Sequence, residues 1–233
     1  SQSADLYIKR LGNISHVWGG YLAFAITAVF SVLLWWGFIL DSHMTLKDEL
    51  FTEKMDRLHR SAYELHVSEN GTKIHFNGEI TFGLTKIFLD YLQKYPNLNL
   101  LYLYSLGGLI FEARGVAKLI TKTKLNTSVS GECSSACTLL FLAGNKRTLH
   151  PQLKLSFHQY ALSFGDSLPT LDIAKEQEKD RIFFRSRGVK SEFLDQIFNH
   201  SSKSLWYPDH QKLLEAGLIH LDESASKAKI FNH

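Results

Sequence analysis

The hydrophobic rhythm of the chain changes character along its length. From Val17 to Leu40 no position is charged and about half are Leu, Ile, Val or Phe. At 1.5 Å per residue, a helix of that length crosses a hydrocarbon core of about 30 Å. Trp18 and Trp35-Trp36 lie near its ends, where indole rings favour the interface. A cleaved signal has a shorter apolar region followed by small residues, whereas here Trp-Trp-Gly-Phe-Ile-Leu leads into Asp41. The stretch 17–40 is therefore expected to be a transmembrane helix. Lys9 and Arg10 precede it and Asp41 follows, so positive-inside reasoning puts segment 1–16 in the cytoplasm. The rest of the chain then faces the other side, which in a bacterium is the periplasm, on a single-pass inner-membrane protein.

Between Thr45 and Arg60 apolar residues recur among charged ones at spacings of three to five (Leu46, Leu50, Met55, Leu58), close to the period of an amphipathic helix. Segment 41–61 is read as a linker helix and 62–233 as one domain. Within it the pattern predicts strands Tyr63–Val67 and Lys73–Phe76 around Glu69-Asn70-Gly71, a helix Phe82–Tyr95 stopped by Pro96, and a buried strand Leu98–Tyr104. A helix Leu109–Thr121, a strand Leu125–Ser130, a helix Ser135–Ala143 and a strand Leu153–Phe157 follow. Helices Leu171–Arg187, Glu192–Phe198 and Pro208–Glu215 and a terminal strand Leu218–Leu221 complete the series. Strands alternating with helices imply an α/β domain with a mostly parallel sheet.

Composition narrows the chemistry. With 45% hydrophobic residues in 233, the chain can bury a sizeable core. The net charge of +3 is small and its basic residues are mixed with acids, which argues against nucleic-acid binding. Two cysteines, four apart, do not make a zinc site, and no cofactor-binding motif or nucleotide-binding loop occurs.

The candidate chemistry gathers at Gly131-Glu132-Cys133-Ser134-Ser135-Ala136-Cys137, between a strand and a helix. A hydroxyl at that corner projects from the end of the sheet, beside amides with no helical acceptor. Gly107-Gly108 and His158 each follow a predicted strand, at the sheet end where α/β proteins bind ligands.

These residues carry a resemblance. The soluble part resembles the proteolytic subunit of Clp protease, within the ClpP/crotonase superfamily of stacked ββα units. The matching blocks are Gly78-Glu79-Ile80, Tyr104-Ser105-Leu106-Gly107-Gly108, Gly131 to Ala136 with Ala143-Gly144, Phe157-His158-Gln159, and Glu215-Ala216-Gly217-Leu218-Ile219. The resemblance implies a serine peptidase with Ser135 as nucleophile, His158 as base, and Gly107, Gly108 and the Ala136 amide at the oxyanion hole. It also implies a homo-oligomer assembled through the helix at 171–187, with the stripe Leu171, Ile173, Ala174, Ile182 and Phe183.

At the third catalytic position the chain departs from that pattern. The family has an aspartate where this sequence reads Phe198-Asn199-His200-Ser201-Ser202, so Asn199 is taken as the orienter, with Asp195 as the alternative. A Ser-Lys pair using Lys146 or Lys154 is a variant. Cys133 and Cys137 replace small apolar residues; a disulfide across the turn, two reduced thiols and a cysteine nucleophile all remain open. Three functions follow: a membrane-tethered serine hydrolase acting on peptides or proteins, a pseudoenzyme of the same fold that binds them, and a crotonase-like acyl-CoA enzyme.

Overall fold

A computed structural model describes residues 5–6, 9–10, 14–45, 51–159 and 172–221. The chain divides into two compact units, Ser1–Lys54 and Met55–His233. The first is dominated by helix α1 (Ile14–Thr45). Its stretch Trp18–Leu40 has a mean hydropathy of 2.2 and none of its residues is buried in the protein. Its 23 residues span about 34 Å along a helix axis, long enough to cross a membrane. Helix α2 (Phe51–Ser61) occupies the expected linker, of which residues 46–50 lie outside the described part, as do most of 1–16.

The second unit is built on a six-stranded sheet: β1 (Tyr63–Val67), β2 (Lys73–Gly78), β3 (Leu100–Ser105), β4 (Asn126–Ser134), β5 (Arg147–Thr148) and β6 (Lys154–Ser156). The order is β1-β2-β3-β4-β5, with β6 also pairing β4. Among the described strands β1 runs antiparallel to its neighbour and the other pairings are parallel. The mostly parallel α/β architecture expected from the alternating pattern is the one observed.

Period-two alternation decides which face is buried. Ile74 and Phe76, Leu101 and Leu103, and Thr127 and Val129 point into the core. Their neighbours His75, Tyr102 and Tyr104 line the other face, with His75 stacked on Tyr102 at 4.7 Å between ring centroids. Helices α3 (Leu84–Lys94) and α4 (Ile110–Thr123) cover the core with Leu84, Phe88, Ala113, Val116 and Ile120. Glu112 of α4 caps α3, accepting from the amides of Gly83 (3.0 Å) and Thr85 (2.9 Å) and from the Thr85 hydroxyl. Burial alone would raise the Glu112 pKa, but these hydrogen bonds outweigh it and hold the carboxyl below its ordinary value.

Helix α5 (Cys137–Leu142) is buried throughout. Its carboxyl end is held chiefly by the Arg187 guanidinium, with Arg147 reaching the Leu142 carbonyl at 3.5 Å, as suits carbonyls without a helical partner. Arg187 donates to the carbonyls of Leu142, Ala143 and Gly144. Arg147 donates to the carbonyls of Gly217 and Leu218, and burial, with the charge of Arg187, lowers its pKa to about 10. Helices α6 (Ile173–Ser186), α7 (Ser191–Asn199) and α8 (His210–Glu215) complete the unit.

Four expectations need correction. The helix after Ser135 starts two residues later, at Cys137, because β4 runs on to Ser134 and Ser135 turns the corner. The terminal strand Leu218–Leu221 does not form: Leu218 and Ile219 are buried, but the carbonyls of Gly217 and Leu218 go to the Arg147 side chain rather than to a ladder. The strand expected to be buried at Leu98–Tyr104 runs instead over Leu100–Ser105 and leaves Tyr104 exposed. On α6 the buried positions are Asp180 and Phe184; Ile182 of the expected stripe is exposed and Leu171 lies outside the described residues. The buried acid is explained by Arg114 of α4, which meets both Asp180 carboxylate oxygens at 2.8 Å and also binds Glu176.

Candidate active site

Three segments of backbone come together where β3, β4 and β6 end. Ser135 lies immediately after β4 with φ +54°, a left-handed conformation that disfavours a residue with a Cβ. Such strain, of order 1–3 kcal/mol, persists only where the surroundings over-determine it. Here its amide donates to the Ser156 carbonyl at 3.0 Å, and its carbonyl accepts from the Thr138 amide (3.0 Å) and hydroxyl (2.7 Å). Cys133 and Cys137, fully buried on either side, are joined by a disulfide.

The adjacent serine faces elsewhere. Ser134 is buried; it donates to Glu132 Oε1 at 2.7 Å and accepts from Ser156 Oγ at 2.6 Å, and Tyr207 also donates to Glu132, at 2.9 Å. The hydrogen bond to Glu132, with some burial, raises the Tyr207 pKa. Ser134 is thus committed to a polar chain that fixes the turn, whereas the half-buried Ser135 has no hydrogen bond to its hydroxyl among the described residues.

Gly107 and Gly108 approach this turn from β3. A Cβ on Gly107 would lie 3.0 Å from Ser135 Cβ and 3.2 Å from the Ala136 nitrogen; one on Gly108 would lie 2.3 Å from the Ile80 carbonyl oxygen. Both have positive φ, +109° and +136°, so glycine is required at each. The two differ in where their amides point. The Gly107 amide is taken by Ser105 Oγ at 3.1 Å. The Gly107 carbonyl accepts from the Ile80 amide at 2.8 Å, and in a trans peptide the following N–H points the opposite way. Gly108 N–H is therefore directed away from Ile80, and neither it nor Ala136 N–H has an acceptor among the described residues.

His158, just past β6, lines one narrow crevice with Ser135, together with Thr138, Leu139, Phe157, Phe184, Ile197 and Phe198. The crevice holds only about 10 Å³, and no hydrogen bond joins hydroxyl to imidazole. His158 Nδ1 lies 2.6 Å from the Gln159 carbonyl oxygen, which makes Nδ1 the protonated nitrogen and leaves Nε2 as the acceptor.

The expected orienter is not in that role. Asn199 ends α7 as an exposed residue with no hydrogen bond to His158 among the described residues. Asp195 is held by Arg181 at 2.7 Å on the surface. Lys154 lies over the Tyr207 ring and Lys146 is exposed; neither lines the crevice. Glu132, Ser156 and Tyr207 were not anticipated from the sequence. Ser134 and Ser156 are register partners across β4 and β6, and Glu132 shares a strand face with Ser134, signals that only the pairing supplies.

A second cavity, about 500 Å³, opens beside the glycines, lined by Asn77, Gly78, Glu79, Tyr104, Ser105, Leu106, Gly107 and Gly108. No metal-binding group of three or more acidic, His or Cys side chains occurs among the described residues.

A parallel sheet with a glycine-rich crossing at one strand end and a strained serine at the next defines a class of α/β domain. Solved structures give it a name: the domain has a ClpP-like fold. It matches ClpP1 from Listeria monocytogenes with a TM-score of 0.54 over 64% of this chain and 89% of that one, at 16% identity. An asparagine-to-aspartate mutant of the same ClpP1 matches with a TM-score of 0.53, covering 64% and 90%, also at 16% identity. No protein-family model and no curated protein matches the sequence.

Proposed function

We propose that the protein is a serine hydrolase acting on peptides, tethered to a membrane by α1 and linked through 41–61 to a catalytic domain at 62–233. Ser135 Oγ attacks a peptide carbonyl and His158 Nε2 takes its proton. The amides of Gly108 and Ala136 stabilise the oxyanion, with Gly107 allowing the close approach; the imidazolium gives its proton to the amine as the C–N bond breaks, and water, deprotonated by the same Nε2, then hydrolyses the ester and returns Ser135 to its hydroxyl form. The observation that carries this reading is the strained Ser135, held by Ser156, Thr138 and the disulfide with its hydroxyl left free beside an imidazole whose Nδ1 is already occupied. Lys9 and Arg10 ahead of the span, and a disulfide suited to an oxidising compartment, support a periplasmic domain in a bacterium. Exposed Phe82, Leu106, Phe111 and Ile182 suit a homo-oligomer.

The test is a fluorophosphonate probe on the full chain in detergent micelles. Wild-type protein is expected to be labelled, and Ser135→Ala and His158→Ala not. An unlabelled but folded wild type rejects the hydrolase. Light scattering on the same sample should give a mass above that of one chain; a monomer removes the oligomer.

A second reading has its own support. The crevice of about 10 Å³ and an imidazole oriented by a backbone carbonyl rather than a carboxylate fit a pseudoenzyme that binds peptides without cleaving them.

A further inference from the structure

The space around the serine is unevenly distributed. At about 10 Å³, the crevice holding Ser135 and His158 has no room for a substrate side chain, whereas the cavity on the other side of Gly107 and Gly108 offers about 500 Å³. That volume is within the range that takes a small-molecule or side-chain ligand. A peptide carbonyl held by the Gly108 amide has this cavity as the adjoining room for a neighbouring side chain.

The lining has a definite chemistry. Tyr104 and Leu106, both substantially exposed, offer an aromatic face and an aliphatic wall. Asn77 and Ser105 are neutral, and the Ser105 hydroxyl is occupied with the Gly107 amide. Glu79 contributes the one charge of the lining, and its carboxylate forms no ion pair among the described residues. Its backbone is fixed, because the Glu79 amide donates to the Ala62 carbonyl at 2.9 Å and Ile80 is bridged to Gly108. A carboxylate without an ion pair among the described residues, just past the end of β2 and sharing a cavity with an aromatic ring, complements a long cationic side chain. The methylene stem packs on Tyr104 and Leu106, and the head meets Glu79.

We propose that this cavity is a subsite for an arginine or lysine side chain of an extended peptide, with Glu79 as its specificity-determining counter-charge. The inference rests on the peptide-binding part of the function proposed above and names the class of peptide.

Binding tests it without requiring turnover. Fluorescein-labelled, end-blocked peptides, identical except for arginine or its neutral isostere citrulline at one position, are titrated into the full-length Ser135→Ala chain in micelles and followed by anisotropy. The arginine peptide is expected to bind roughly tenfold tighter, as a charge-assisted contact implies. Glu79→Gln in the same background should reduce that ratio to about one, and Glu79→Lys should invert it, favouring a glutamate peptide over glutamine. Equal affinity for the two peptides, binding of neither, or a ratio unchanged in Glu79→Gln overturns the subsite. Fluorophosphonate labelling of the wild type reports separately on the hydrolase. Labelling without discrimination rejects the subsite alone, and discrimination without labelling rejects the hydrolase alone.

Discussion

The turn that carries Ser135 and the arm that carries His158 meet in one crevice but are held very differently. The serine turn is fixed by a disulfide, by three backbone or hydroxyl hydrogen bonds to Ser135 itself, and by the polar chain Tyr207–Glu132–Ser134–Ser156, which runs from the exposed Tyr207 to the two buried serines. Among the described residues the imidazole makes one hydrogen bond, to the carbonyl of the next residue. Such a contrast separates pre-organisation from proton handling. A strained left-handed serine needs many restraints to survive, and a general base needs only the correct tautomer and freedom to move. Substitutions on the turn should therefore act through geometry and stability, and substitutions around the arm should be mild.

Gly108→Ala puts that difference under the greatest load. The added methyl meets the Ile80 carbonyl at 2.3 Å, and relief of the clash has to rotate the peptide that carries the Gly108 N–H. Loss of one oxyanion donor lowers acyl-transfer rates about 10²–10³-fold, so fluorophosphonate labelling of Gly108→Ala should slow by that order. Gly83→Ala is the control for strain, since Gly83 has φ +84° with nothing within 4 Å of the added Cβ. If both variants slow labelling equally, the effect is general softening and the Gly108 amide has no special part.

The disulfide offers a smaller lever on the same turn. Its cysteines are four residues apart, and the chain-entropy model gives about 2 kcal/mol for so short a loop. Cys133→Ala/Cys137→Ala should lower the unfolding free energy by about that much in a urea titration. Because Ser156 and Thr138 still hold Ser135, labelling should persist at reduced rate. Complete loss of labelling in the folded double variant would make the sulfur bridge the dominant restraint and the hydrogen bonds secondary.

The same contrast explains what could be read from the sequence. The core strands were legible as short apolar runs between turn and helix signals, but Leu98–Tyr104, read as a buried strand, alternates instead, with Leu101 and Leu103 buried and Tyr104 exposed, because only one face of the sheet meets the core there. Gly107-Gly108 was legible as a close approach, since paired glycines at a strand end carry the backbone where a Cβ does not fit. The polar chain under the turn was not, because Ser134 meets Ser156 across 22 residues and Tyr207 meets Glu132 across 75, and no local pattern encodes such register. The short run Leu218-Ile219 misled for a related reason. Brief apolar stretches do not reveal whether burial comes from a ladder or, as here, from carbonyls clasped by a guanidinium. Nor does a sequence motif register that His158 Nδ1 faces the carbonyl of Gln159.

That substitution sets the smallest effect and the most discriminating one. If Asn199 oriented His158, Asn199→Ala would deprive the imidazole of its partner; loss of the aspartate in a Ser-His-Asp triad costs about 10⁴ in turnover. With Nδ1 already facing the Gln159 carbonyl, the side chain of Asn199 is spared that duty, and Asp195 is engaged with Arg181. Asn199→Ala and Asp195→Asn should each label within about twofold of wild type, a difference below roughly 0.5 kcal/mol, as for ordinary surface changes. A slowing of a hundredfold or more in Asn199→Ala would mean that helix α7 closes on the imidazole during reaction. The arm would then be held as firmly as the turn at the moment of attack, and the contrast between them would be confined to the resting protein. A twofold effect instead leaves the imidazolium supported by a neutral dipole alone. The reaction would then be slower than in a carboxylate triad because the developing positive charge lacks a full counter-charge.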